Sequence, residues 1–76
     1  MKNAIDIINR KYPSLSAIEK RIAAFILEAP EKVIYMTTAA LSKQLGISQG
    51  SVIKFANNLG FSGYSELKLN VAQNLP

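Results

Sequence analysis

The sequence predicts an all-α fold, a compact bundle of about five short helices. Hydrophobic residues make up 49% of the 76 residues, which is enough to bury one core and too much for a disordered tail. This length gives room for a single domain, taken here as residues 1–76. Apolar residues recur at helical spacing along most of the chain, and prolines and glycines separate the apolar stripes.

The first helix is predicted to run from about Lys2 to Tyr12. It ends before Pro13, because proline disfavours helical geometry in the residue that precedes it. A helix this short is marginal alone and must pack against the rest of the domain or against a partner. The apolar residues of its expected inner face are Ala4, Ile5, Ile8 and Tyr12.

The second helix begins with the clearest capping signal of the chain. Ser16 and Glu19 form an S-x-x-E capping box, in which each side chain accepts a hydrogen bond from the other residue's N–H. We expect this helix to continue to about Glu28, with Lys20, Arg21 and Glu28 on the solvent side. The residues expected to face inward are Ile18, Ile22, Phe25, Ile26 and Ala29.

A short helical turn from Glu31 to about Tyr35 is predicted next, because Pro30 suits the first helical position. The four residues from Val33 to Met36 form an apolar run that a short strand would also explain. We prefer a helix or turn, since the chain offers no partner strand. Tyr35 and Met36 are expected to pack in the core.

Two short helices around a tight turn are predicted in residues 37–60. The first runs from about Thr38 to Leu45 and the second from about Gln49 to Leu59. Leu41 and Leu45 are four residues apart, so they stack on one helix face. The inner stripe of the second helix follows the i, i+3, i+4, i+7 pattern and consists of Val52, Phe55, Ala56 and Leu59.

The residues at the ends of these two helices fit a sharp corner. Thr37 and Ser48 can cap the two helices, and Gly46 can adopt the left-handed conformation that ends the first one. Ile47 is expected to fill the corner, and Ser42 is small where the helices cross. This is the pattern of a helix-turn-helix motif whose second helix is presented outward.

The outward face of the second helix carries no carboxylate. Its predicted residues are Gly50, Lys54, Asn57 and Asn58, with Ser51 at the flank. An ordinary solvated helix would usually mix in Glu or Asp, whereas an acid-free face suits a surface that approaches phosphates. From these residues alone, a purely structural helical hairpin remains the alternative.

A last helix is predicted after Gly60. Phe61 fits the hydrophobic contact that follows a glycine at the end of a helix, and Ser62 is the expected cap of the last helix. Glu66 lies in its first turn, and Leu69 lies off its apolar face. The residues of that apolar face are Tyr64, Leu67, Val71 and Leu75.

The residue inventory argues against an enzyme. The chain has no His and no Cys, so imidazole acid–base chemistry and thiolate nucleophiles or metal ligands are absent. The five acidic residues lie on separate segments, and no phosphate-binding loop or metal-ligand spacing occurs. Ser51 and Lys54 are three residues apart near a helix start, which is weak support for Ser–Lys catalysis. We therefore expect a binding module with no cofactor and no metal.

The charge balance favours an anionic partner. Nine Lys and Arg residues against five Asp and Glu residues give a net charge of +4, which is typical of nucleic-acid-binding domains and of many other small domains. Asp6 and Arg10 interrupt any apolar run at the start of the chain, so no signal peptide is expected, and no stretch is long enough to span a membrane. The expected location is the cytoplasm.

The run from Leu15 to Lys68 resembles the N-terminal helix-turn-helix domain of the RpiR family of bacterial transcription regulators. The segments that carry the resemblance are LSAIEKRIAAFILEAPEKV, TTAALSKQLGISQGSVIKFANNLGF and GYSELK. The resemblance implies a head that binds double-stranded DNA and precedes a sugar-isomerase-type domain, which dimerises and senses a phosphosugar effector. That second domain is absent from this chain. The family commonly has Arg where this chain has Lys54 and a bulkier residue where it has Gly50.

The function expected on this basis is sequence-specific binding of double-stranded DNA, with genes of sugar or phosphosugar metabolism as targets. The second helix of the motif would enter the major groove. Gln49, Ser51 and Lys54 would lie at base edges, and the backbone at Gly50 would lie close to phosphate. The residues expected to hold phosphates are Thr38, Lys43, Ser48, Asn57 and Asn58. Useful affinity should require a homodimer. The alternative is a helical protein-interaction or oligomerisation module without DNA binding.

Overall fold

Six α-helices and one short 3-10 turn make up the fold in the computed structural model, which describes residues 2–75; Met1 and Pro76 lie outside the described residues. The helices are α1 (Ala4–Lys11), α2 (Ala17–Glu28), α3 (Pro30–Val33), α4 (Thr38–Leu45), α5 (Gln49–Asn58) and α6 (Tyr64–Gln73), and the 3-10 turn is Tyr12–Ser14. Within that range there is no strand, so the predicted all-α class is confirmed. None of these helices is long and apolar enough to cross a membrane.

The core is built around α5, which packs against α2, α4 and α6. Phe55 is fully buried at the centre of α5, as are Val52 and Ala56 on the same face. The largest fully buried side chains come from every helix of the bundle and are Phe55, Ile8, Ile22, Ile26, Leu41, Leu67, Val33, Val52 and Val71. Because the inner stripe of α5 is fixed by three neighbouring helices, the direction of its outer face is fixed as well.

The helix starts follow the predicted capping chemistry. The Ser16 N–H donates to Glu19 Oε1 over 3.0 Å, and the Glu19 N–H donates to Ser16 Oγ over 3.2 Å, which completes the predicted capping box. Thr37 Oγ1 accepts a hydrogen bond of 3.0 Å from the Ala40 N–H and caps α4 as predicted. These bonds satisfy N–H groups that would otherwise lack a partner within the helix.

Two glycines in the left-handed conformation end the helices of the motif. Gly46 has a φ of +67°, its N–H donates to Lys43 O, and the Ile47 N–H donates to Ser42 O over 2.9 Å. Gly60 has a φ of +95° and ends α5 in the same way, and the following Phe61 is buried. Both predicted helix ends are therefore confirmed. Glycine is needed at these two positions because a side chain would be strained in the left-handed conformation.

Two residues that were predicted to be buried are exposed. Ile18 is 46% exposed because it lies in the first turn of α2, at the edge of the bundle, whereas Ile22 one turn later is fully buried. Tyr35 is 85% exposed because α3 ends at Val33 and the chain then turns. Val33 points into the core, and Met36 packs against its margin, so the prediction for Met36 holds while that for Tyr35 is wrong.

The start and end of the last helix also differ from the prediction. Helix α6 begins at Tyr64, and Gly63 occupies the N-cap position that was assigned to Ser62. The Ser62 hydroxyl instead donates to Glu66 Oε2 over 2.7 Å, and this bond is the main reason why the pKa of Glu66 lies below its ordinary value. Leu75 lies beyond the end of α6 and is half-buried, and Leu69 is 59% exposed, as expected off the apolar face.

Helix α6 is anchored to the segment between α3 and α4 by the phenol of Tyr64. The hydroxyl donates to Met36 O over 2.9 Å, and Lys68 Nζ donates to the same carbonyl over 3.3 Å. Burial raises the pKa of Tyr64 to about 12, because the phenolate would lose its hydration in this position.

This raised pKa predicts a loss of stability at alkaline pH that depends on Tyr64. A folded pKa above the ordinary value of 10 stabilises the protein below pH 10, and this stabilisation is lost as the pH rises towards 12. We expect wild-type protein to lose on the order of 1–2 kcal/mol more than Tyr64→Phe across this range, measured by urea unfolding. Tyr35→Phe, at an exposed tyrosine, is the control and should follow the wild-type curve. If the free energy of unfolding falls equally with pH in all three proteins, Tyr64 is not the cause of the alkaline loss of stability.

Candidate nucleic-acid interface

The start of α5 is set by the hydroxyl of Ser48. Ser48 Oγ accepts a hydrogen bond of 3.1 Å from the Ser51 N–H, as predicted for a cap, and lies 2.9 Å from Ser51 Oγ. Ser48 is exposed and Ser51 is half-buried. The two hydroxyls therefore hold the first turn of α5 in place, and each keeps acceptor capacity for a further partner.

Within residues 2–75, no segment of the chain covers the outward face of α5. Lys54 and Asn57 are exposed rather than packed against the body of the protein, in agreement with the expected presentation of this helix. Gln49 and Gly50, at the start of the helix, are exposed as well. This outward face consists of Gln49, Gly50, Ile53, Lys54 and Asn57 and contains no carboxylate of its own helix.

Ile53 belongs to this outward face and was missed by the sequence analysis. Its side chain is 44% exposed, and it lies one turn after Gln49 and one turn before Asn57. The sequence analysis assigned no apolar side chain to the outward face. The i, i+4 spacing of Ile53 from both Gln49 and Asn57 was the signal that could have placed it there.

Asn58 is exposed, and its side-chain amide is bonded to α2. Its Nδ2 donates to Glu19 Oε2 over 2.8 Å, and its backbone carbonyl accepts a hydrogen bond of 3.0 Å from Lys11 Nζ. Ser51, Lys54 and Asn58 are spaced three and four residues apart, so they share the flank of α5 that turns towards the start of α2. The side-chain amide of Asn58 is thus engaged within the protein.

Glu19 brings a carboxylate to this flank, which the sequence of α5 alone could not reveal. Its pKa is lowered chiefly by the hydrogen bond from the Ser16 N–H, with burial opposing and the Asn58 amide and the charge of Lys54 adding to the effect. Ser16, Ile18 and Glu19 form one wall of an open groove, and Ser51 and Lys54 form the other. The acid-free outward face is therefore bordered by one ionised carboxylate.

Three basic side chains bind carbonyls at the C-terminal ends of α4 and α5. Arg21 donates to Leu45 O, Lys11 to Asn58 O and Lys2 to Gly60 O. Cations in these positions complement the negative end of the helix dipole. Arg21 was predicted only to face solvent, and its bond places a guanidinium beside the turn of the motif.

The remaining predicted phosphate contacts lie on α4. Lys43 is exposed in its last turn, and Thr38 is half-buried at its first position. Lys43 on α4 and Lys54 on α5 are the lysines that these two helices contribute to the surface. Within residues 2–75, no cluster of His, Cys, Asp and Glu could hold a metal ion. The surface offers amides, hydroxyls and cations, which are groups that bind an anionic polymer.

The fold and this face define a helix-turn-helix domain in which the second helix of the motif, α5, has an exposed outward face. The chain belongs to the rpiR family of helix-turn-helix domains, whose family model matches residues 2–76.

Relatives of known name support the same assignment. The chain is 35% identical over 75 residues to the HTH-type transcriptional regulator HexR of Pseudomonas aeruginosa, covering 99% of this chain and 26% of HexR. It is 33% identical over 64 residues to the HTH-type transcriptional regulator GlvR of Bacillus subtilis, covering 84% of this chain and 25% of GlvR. The chain thus spans about a quarter of the length of these regulators.

A solved structure shares the fold. The crystal structure of the N-terminal domain of ybbH from Bacillus subtilis superposes with a TM-score of 0.87 at 30% identity, covering 95% of this chain and 88% of that one.

The position of Glu19 predicts that its charge stabilises the fold at neutral pH. Because its folded pKa is below the ordinary 4.5, this stabilisation is present above that value and is lost as the pH falls through the folded pKa. We expect Glu19→Gln to lower the free energy of unfolding by about 0.3–1 kcal/mol at pH 7 and by less at pH 3, measured by urea unfolding.

The control for Glu19→Gln lies at the other end of the same helix. Glu28→Gln removes an exposed carboxylate from the last turn of α2, where a negative charge opposes the helix dipole, so it should not reduce stability at pH 7. An equal loss in both variants, or a loss in Glu19→Gln that persists at pH 3, would contradict the assigned role of Glu19.

Proposed function

We propose that this chain binds double-stranded DNA in a sequence-specific way, as the DNA-reading head of a bacterial transcription regulator. The observation that carries the proposal is the exposed outward face of α5, which has no carboxylate of its own and is held in position by the buried stripe beneath it. The names of the relatives, all of them HTH-type transcriptional regulators, support it. The chain acts by binding rather than by catalysis, in the cytoplasm, where the DNA lies.

In this proposal the first turns of α5 enter the major groove. Gln49 can form two hydrogen bonds with adenine, and Lys54 can reach guanine, although it lacks the bidentate fork of arginine. Ser51 is held by Ser48, so it contributes one hydroxyl acceptor or donor at the edge of the groove. Gly50 allows the backbone to come close to the DNA.

Phosphate contacts fix the register of α5 on the duplex. Thr38 and Lys43 on α4, Ser48 at the turn and Asn57 on α5 are the proposed contacts. Asn58 gives one of its two amide N–H groups to Glu19, which holds α5 against α2, and the other N–H can still donate to a phosphate. Arg21, beside the turn, adds a positive charge near the same end of α5.

A single head of this size covers little DNA, so we propose that two heads act together. The domain measures 30 × 27 × 23 Å, comparable to the roughly 34–36 Å that separates half-sites one helical turn apart. Dimerisation and the binding of a phosphosugar effector would belong to a region outside this chain. The target genes would be those of sugar or phosphosugar metabolism. This is what the RpiR resemblance implies.

A second candidate function is a protein-interaction module without DNA binding. Tyr35 and Leu69 are the most exposed large hydrophobic side chains of the described residues, so they are the apolar groups that such a module would offer to a partner. The first test below separates the two functions.

Binding to duplex DNA should be sensitive to salt and to Lys54. We expect the 76-residue chain to bind a random-sequence duplex at low salt and to lose affinity as salt rises, because bound cations are released from the phosphates. Lys54→Ala should weaken binding by about 1 kcal/mol, measured by fluorescence anisotropy at two salt concentrations.

The matched control is Lys32→Ala, an exposed lysine on α3, a helix that packs on α2 and α6. It should change affinity less than Lys54→Ala does. Absence of binding even at low salt would favour the interaction module, and equal effects of the two variants would show only a response to net charge.

Gln49 should determine the preference at one base position. Gln49→Ala should relax that preference by roughly 1–3 kcal/mol, measured by selection of preferred sites from random duplexes with a dimerised form of the chain. Gln44→Ala, which removes an exposed glutamine from α4, should leave the preference unchanged. Equal weakening of all sequences by Gln49→Ala would show that Gln49 does not read a base.

A further inference from the structure

Gly50 leaves a gap in the outward face of α5 that the fold does not require. It lies at the second position of the helix, where glycine gives the helix less stability than alanine would. A Cβ built at Gly50 would meet only Ser48 Oγ, at the ordinary contact distance of 3.8 Å. Gly46 and Gly60, by contrast, have positive φ values that explain their lack of a side chain. Packing and backbone conformation therefore leave Gly50 unexplained.

The half-exposed side chain of Ile53 lies on the same face of α5 as Gly50, but more than 4 Å from the place that a Cβ at Gly50 would take. Ile53 follows Gly50 by three residues, so the two lie on one helix face. Side chains in an α-helix lean towards its N-terminus and cover the preceding turn, which here is the turn that contains Gly50. The apolar surface of Ile53 is open to the outside between Gln49 and Asn57, and Gly50 leaves the helix backbone one turn before it uncovered.

We propose that Gly50 and Ile53 form an apolar notch that receives the C5-methyl group of a thymine in the major groove. This inference rests on the proposed function and names one base that α5 would recognise. Thymine is the one base that presents an apolar group on its major-groove edge, and apolar side chains are its usual partners. The missing side chain at Gly50 lets the helix backbone come close enough for the methyl group to contact Ile53.

The notch also fits the polar residues around it. Gln49 precedes Gly50 and can pair with the adenine of a neighbouring or opposite position, so an A·T-rich step would satisfy both the amide and the isoleucine. An isoleucine that served self-association instead would respond to protein concentration and not to the thymine methyl group.

The test removes the thymine methyl group from the DNA by uracil replacement, and removes the side chain that would contact it by Ile53→Ala. Duplexes selected from a random pool by the dimerised chain are synthesised with each thymine replaced in turn by uracil, which differs from thymine by that methyl alone. We expect one replacement to weaken wild-type binding by ~4-fold, the effect of burying about one methyl group. In Ile53→Ala the same replacement should have no effect, and in Ile53→Val the effect should be intermediate.

Two further variants separate binding from folding. Gly50→Ala should raise the Tm by ~2–8 °C, because alanine favours the helix, and yet weaken binding to the selected duplex by about tenfold, because its methyl keeps the helix backbone farther from the DNA. Ile18→Ala is the matched control, since Ile18 is 46% exposed on α2 and Ile53 is 44% exposed on α5. It should keep the wild-type ratio between thymine and uracil duplexes.

The outcomes distinguish this inference from the proposed function. Failure to bind or enrich any duplex would overturn both. Selective binding in which no uracil replacement matters, in which Ile53→Ala keeps the wild-type ratio, or in which Gly50→Ala binds as tightly as wild type, would overturn the notch and leave the DNA-reading function standing. If Ile53→Ala lowers the sedimentation coefficient of the protein but keeps the wild-type ratio of affinities for thymine and uracil duplexes, Ile53 serves self-association.

Discussion

The burial of one stripe of α5 is the constraint on which the rest of the structure depends. Val52, Phe55 and Ala56 are fully buried among α2, α4 and α6. A buried phenylalanine typically contributes about 3–5 kcal/mol, a large share of the roughly 4–11 kcal/mol expected for 76 residues. Since a helix has 3.6 residues per turn, fixing this stripe also fixes which residues face outward. The candidate interface is thus a consequence of core packing.

Five of the nine basic residues contact or lie on the helix-turn-helix motif, and these five fall into two groups with different roles. Lys2, Lys11 and Arg21 bind carbonyls at the ends of α4 and α5, where they fix the motif within the bundle. Lys43 and Lys54 remain exposed on the motif itself. The net charge of +4 therefore overstates the positive charge that faces a partner, and residue placement decides how much of it is available.

Most features that depend on near neighbours in the sequence were predicted, with the N-cap of α6 as an exception, and features that depend on distant segments were not. The capping box of Ser16 and Glu19 and the left-handed Gly46 involve bonds across a few residues, so their residue types were sufficient. Ile18 has the correct helical spacing for the core, but spacing does not show where the bundle ends. The bond between Asn58 and Glu19 joins residues 39 apart, which no local pattern could indicate.

The carboxylate of Glu19 beside Lys54 bears on how a DNA-reading head could be selective. Binding that ignores sequence comes from neutralised phosphates, and its salt dependence grows with the number of cations involved. With two exposed lysines on the motif, one head would have a slope of roughly −2 in a plot of log affinity against log salt, and a dimer about twice that. In the proposed complex Glu19 would repel phosphates on the flank, while the outward face is free of acid. Weak attraction to any duplex would then leave Gln49, Ile53 and Lys54 to decide which duplex is preferred.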